Sequence, residues 1–83
     1  MKINRSIVES YLGQKVEITL FNGMTFVGEL HKTGEESYKN NPNLYIPRNY
    51  YFLENKMLQN AFGYWTSGIF RSSHIKKIQK VIY

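Results

Sequence analysis

Two tyrosines and two cations in one polar stretch carry the most suggestive chemistry: Tyr38 and Tyr45 lie close in sequence to Lys39 and Arg48. Single-strand nucleic-acid binders mix flat rings with positive charge in this way, the rings to stack bases and the cations to hold phosphate. A loop tyrosine serves equally well to pack its own loop down. His74 offers another ring, able to stack on a base or to bond nearby backbone. The side-chain amides of Asn49 and Asn43 can hydrogen-bond a base edge, and the same amides cap turns. Eleven Lys+Arg against six Asp+Glu give a net charge of +5, a sign that draws phosphate-rich partners by counterion release.

Catalytic groupings are missing. The chain has no Cys, no G-x-x-x-x-G-K-[ST] and no H-E-x-x-H, so the common phosphate-cradling, thiol and zinc-hydrolase patterns are excluded. Glu35-Glu36 are adjacent in a polar stretch, where neither carboxylate is expected to be desolvated enough to titrate unusually. His31 and His74 stand apart, with no recognisable structural-metal spacing. The expectation is a protein without enzymatic activity, cofactor or metal. With no run of about 18 apolar residues and no apolar stretch after Met1-Lys2-Ile3-Asn4-Arg5, cytoplasmic residence away from membranes is expected.

The elements that must position these groups are short. Ser6-Ile7-Val8-Glu9 has the S-x-x-E form of a capping box, which predicts a helix of about two turns ending at Gly13. Ile7, Val8, Tyr11 and Leu12 give it an apolar face that only packing on another element can hold. From Gln14 the period changes to two, with Val16, Ile18 and Leu20 on one side, which predicts a first strand. Asn22-Gly23 predicts a type I′ hairpin turn into a second strand over residues 24–32. Gly28 inside that strand predicts a bend or a close backbone approach.

Residues 33–48 are polar, contain Pro42 and Pro47, and read as a loop insertion in which residues 43–46 are at best an edge segment. A third strand is expected over residues 49–53, turning at Glu54-Asn55-Lys56. A fourth spans residues 58–70, with Phe62, Tyr64 and Trp65 in it, bent at Gly63 and Gly68. Ser72-Ser73-His74 breaks the ladder, and a last strand follows over residues 75–83. The sum is one domain over residues 1–83, mainly β: a small, strongly bent five-stranded antiparallel barrel with a short N-terminal helix. Pattern alone leaves SH3-like and oligonucleotide-binding barrels open.

Leu20, Asn22, Gly23, Phe26, Gly28 and Leu30 stand as in the first sequence motif of the Sm/LSm family, to which Hfq also belongs, and Ile69-Phe70-Arg71-Ser72-Ser73-His74-Ile75-Lys76-Lys77-Ile78 resembles the second. The likeness covers roughly residues 6–32 and 69–82. Ser72 stands where the family has Gly and His74 where Asn is frequent, and the 33–48 insertion blurs the end of the first motif. This resemblance implies a homo-oligomeric ring of six or seven subunits, in which strand four of one copy pairs with strand five of the next. Ile69-Phe70 and Val81-Ile82-Tyr83 would then be partly interfacial. It implies single-stranded RNA as the partner, with Arg71 lining the pore beside Ser72 and His74, and with an Asn at the start of strand three holding a base. Asn49 is the candidate for that Asn, Asn43 the rival. Two alternatives stand beside it: an oligomeric scaffold, of a kind a mobile element could carry, whose loop meets a protein partner, and a monomeric SH3-like module.

Overall fold

The computed structural model describes residues 3–60 and 63–81. Helix α1, Arg5–Glu9, is shorter than its pattern predicts and starts from a different cap. Asn4 Oδ1 accepts the Ile7 N–H at 3.0 Å, the role expected of Ser6. Ser6 and Glu9 both lie inside the helix, and Glu9 is drawn away from its own backbone to Tyr51 and Lys32. Gly13, at φ 81°, ends the segment as anticipated, and its N–H donates to the Leu30 carbonyl at 2.9 Å. Val8 is fully buried, and Ile3, Tyr11 and Leu12 pack around the same core.

Strands β1, Lys15–Leu20, and β2, Thr25–Lys32, form an antiparallel hairpin. The turn is not type I′, because Asn22 keeps negative φ while Gly23 sits at 88°. Gly23 N–H donates to Leu20 O at 3.0 Å and Leu20 N–H to Met24 O at 2.8 Å. That is a three-residue loop, a turn closed by a left-handed glycine. Asn22 contributes through its side chain, which accepts the Met24 N–H at 3.0 Å.

The 33–48 segment is an ordered excursion. Thr33 is buried, and its N–H donates to Tyr50 O at 3.0 Å, clamping the two ends together. Between them lie a 3₁₀ turn, Glu36–Tyr38, and helix α2, Pro42–Tyr45. Residues 43–46 are therefore not an edge segment. Proline suits the first helical position because no partner exists there for an N–H, and Asn41 Oδ1 caps the turn through Asn43 N–H at 3.2 Å.

Strand β3, Tyr51–Asn60, runs straight through the turn expected at Glu54-Asn55-Lys56. Its first part pairs with β2, and from Glu54 onward it pairs with β4, Gly63–Thr66. The turn-forming character of Asn55 reappears as a local irregularity, its Oδ1 accepting the Met57 N–H at 2.9 Å. The fourth strand is accordingly shorter than expected: residues 58–60 belong to β3, and Phe62 lies outside the described residues. Past β4, Ser67 N–H still donates to Leu53 O at 2.8 Å, and Phe70 bridges Tyr51. A 3₁₀ turn, Ser72–His74, breaks the ladder where predicted and leads into β5, Ile75–Lys80, on the far side of β1. Ile82 and Tyr83 also fall outside the described residues.

The strand order is β4-β3-β2-β1-β5. Phe70 beside β3 and Ile75 beside β1 are only five residues apart, a reach of about 17 Å even when fully extended. Crossing four strand spacings of a flat sheet takes about 19 Å, so the sheet must curl. It does not close. Val8, Val16, Ile18, Leu30, Tyr51, Leu53, Phe70 and Ile75 fill the concave side, each large apolar chain contributing about 1.5–3 kcal/mol by burial.

Candidate nucleic-acid interface

The Tyr51–Phe70 bridge decides which candidate residues meet. Each of the two donates its N–H to the other's carbonyl, at 2.7 and 2.9 Å. Continuing the antiparallel register by one step sets Tyr50 opposite Arg71; beyond that the extended register stops, since Asn49 is left-handed and Ser72 opens a 3₁₀ turn. The Arg71 guanidinium carbon indeed lies 5.1 Å from the centroid of the Tyr50 ring, within cation–π range. Asn49, expected to open the third strand, stands outside β3, at φ 66°. It is the one described non-glycine residue with positive φ, a conformation Asn tolerates better than most.

Arg71 and Asn49 are exposed, and Ser72 is half-buried. A groove that reaches Asn49 is lined also by Lys32, Tyr45 and Arg48. Among the described residues neither Arg48 nor Arg71 takes part in an ion pair, so both cations are open to a ligand, whereas Lys32 is held by Glu9 at 3.3 Å.

No family model, curated protein or solved structure matches the chain.

The geometry therefore speaks alone, and it separates the candidates. Asn43 lies apart from Asn49, on a second, largely apolar groove with Leu44, Ile46, Pro47 and Ile69. His74 is exposed but folded back on its own turn: its N–H donates to Arg71 O at 3.0 Å, and its Nδ1 accepts Arg71 N–H at 3.4 Å. That bond orients the turn carrying Arg71. Tyr38 leaves the set altogether. Its hydroxyl donates to Glu54 Oε2 at 2.9 Å and its ring packs edge-on against Phe52. Burial first, then Glu54, pushes its pKa far above the ordinary value. Lys39 pairs with Glu36 in the same loop. Tyr50 was missed by sequence reasoning, which treated it as one residue of an aromatic strand. Its signal was faint: in Tyr50-Tyr51-Phe52 the alternation of a strand puts Tyr51 inward and its neighbour toward the Arg71 side.

Proposed function

We propose that this chain is a non-enzymatic, Sm-like RNA-binding protein that acts as a ring of six or seven copies. The observation that carries the reading is the Arg71 guanidinium held over Tyr50, the chain neighbour of Asn49, and exposed. A guanidinium so held can stack on a splayed base or pair with phosphate, while the Asn49 amide and Tyr45 ring flank the path of a single strand. Arg48 and the net charge of +5 supply the salt-sensitive, sequence-independent part of the affinity. Strands β4 and β5 are the two margins of an open sheet, and pairing β4 of one copy with β5 of the next satisfies both.

Fluorescence anisotropy with short uridine-rich and adenine-rich RNAs at fixed salt tests it. Arg71→Ala is expected to weaken binding about tenfold, which is about 1.4 kcal/mol. Equal binding by Arg71→Ala and wild type would overturn the assignment.

The groove lined by Leu44, Ile46, Pro47 and Ile69 favours a second reading, an assembling scaffold that meets a protein and no RNA. A purified oligomer with a protein-like 260 to 280 nm absorbance ratio and no RNA affinity would select it.

A further inference from the structure

Away from that interface, three carboxylates surround one histidine. Glu29 and His31 are two apart on β2 and so share a face, and Glu54 of β3 is the direct cross-strand partner of Glu29. Like charges placed directly opposite each other destabilise a sheet pair, so something must offset the Glu29–Glu54 juxtaposition. Lys56 Nζ is 3.8 Å from Glu29 Oε2, a long and largely exposed pair.

The inner atoms face one another. His31 Nε2 lies 3.0 Å from Glu29 Oε1 and 3.8 Å from Glu54 Oε1, and one ligand atom from each residue falls within 4.8 Å of the others. Donors sharing a zinc ion, each about 2.0–2.2 Å from it, sit about 3–3.5 Å apart. Nε2 is buried and has no hydrogen-bond partner, the one such side-chain atom among the described residues. Glu29 Oε1 is near it but off the line a ring N–H would take.

The outer atoms are occupied in a way that fixes the inner ones. In the tautomer that gives its Nδ1 proton to Glu35 Oε2, 3.0 Å away, Nε2 carries a lone pair beside the Glu29 and Glu54 carboxylates. Tyr38 Oη donates to Glu54 Oε2 at 2.9 Å, turning Oε1 inward. The imidazole is further held between Phe52, stacked at 5.7 Å, and Tyr38, edge-on at 5.4 Å. A ring N–H given to a carboxylate while the other nitrogen binds is the usual support of a metal-ligating histidine. His31 is only 14% exposed, but Glu29 is 32% exposed, and a groove lined by Gly28, Glu29, Glu54 and Lys56 opens on it. Water can therefore complete the coordination.

We propose that Glu29, His31 and Glu54 form a binding site for a divalent transition ion of the zinc class, clamping β2 to β3. One imidazole and two carboxylates suit Zn²⁺ better than an all-oxygen cation such as Ca²⁺. The site is independent of the RNA reading and stands or falls separately.

Calorimetric titration of the metal-free full chain with Zn²⁺ is expected to show one equivalent per chain, with a dissociation constant below about 10 μM and a rise in melting temperature reversed by chelator. His31→Gln and Glu54→Gln should each weaken binding at least tenfold, and His74→Gln should leave it unchanged. Long-range ¹H–¹⁵N spectra of the wild type read the ring directly, so the test survives a misfolded variant: on zinc addition His31 Nε2 should shift while Nδ1 keeps its proton. No saturable zinc binding by the wild type, an unshifted Nε2, or binding lost in His74→Gln instead of His31→Gln would overturn the proposal.

Discussion

Glu9 gathers three donors from three parts of the chain: the Tyr51 hydroxyl at 2.7 Å, Lys32 Nζ at 3.3 Å and, more loosely, Arg5 at 3.6 Å. The Tyr51 bond first, then the Lys32 contacts, hold its carboxyl below the ordinary value of 4.5. A carboxyl lowered in the folded state contributes stability that is fully present above that ordinary value, and loses it as pH falls through the lower folded one. Glu9→Gln is thus expected to be less stable than wild type by about 1 kcal/mol at pH 7, the pair being partly solvent-screened. Urea midpoints of the two proteins should converge as pH falls well below 4.5, and a gap of equal size at neutral and acid pH would sink the account. None of this was legible in the sequence, where Glu9 reads as half of a capping box. Its main partner is 42 residues away, and no local pattern encodes such a distance. Gly28 is the contrasting case. A strand glycine signals close approach, and a Cβ there would lie 2.8 Å from the Glu54 carbonyl oxygen, a backbone atom unable to yield without parting β2 from β3.

Helix α1 has five residues, too few to persist alone in water, so its start depends on the cap and its survival on Val8 in the core. Replacing Asn4 by Ala removes the acceptor for Ile7 N–H and should cost about 1 kcal/mol, whereas Ser6→Ala at a non-capping position should change little. Thermal melts of the two variants decide between the caps, and a larger loss from Ser6→Ala would restore the box. The same contrast explains which elements were readable. Alternation located β1 and β2 closely because each buries one face, and the break at Ser72–His74 marked where β5 begins. The 33–48 segment and β3 were harder: Asn41 and Pro42 build a helical turn where the prolines read only as breakers, and the turn chemistry at Glu54-Asn55 is overridden because β4 pairs with both residues. For the interface, the residue types of Arg71, Asn49, Tyr45 and Arg48 were visible in sequence. Their division from Asn43 and Tyr38 was not, because it follows from the Thr33–Tyr50 clamp and the Tyr51–Phe70 bridge.

At the scale of the whole molecule, the curl brings the two chain motifs to one core but leaves β4 and β5 as margins. Such edges invite pairing unless covered, and an 83-residue chain with no Cys gains from any partner that buries them. The backbone geometry says which groups are available. Val81 N–H donates to Lys15 O, so by antiparallel alternation residues 79 and 81 turn their backbone toward β1 while 78 and 80 turn theirs outward. Lys80 is exposed, and proline there deletes one outward N–H without breaking the β1 ladder. In the proposed ring the wild type should sediment at six or seven times its 9.8 kDa chain mass. Lys80→Pro should shift that distribution toward the single chain, with far-UV dichroism retained and RNA affinity lowered along with assembly. A wild type that sediments near one chain mass at micromolar concentration would leave both margins solvated and remove the ring, and an oligomer indifferent to Lys80→Pro would place the contact away from β5.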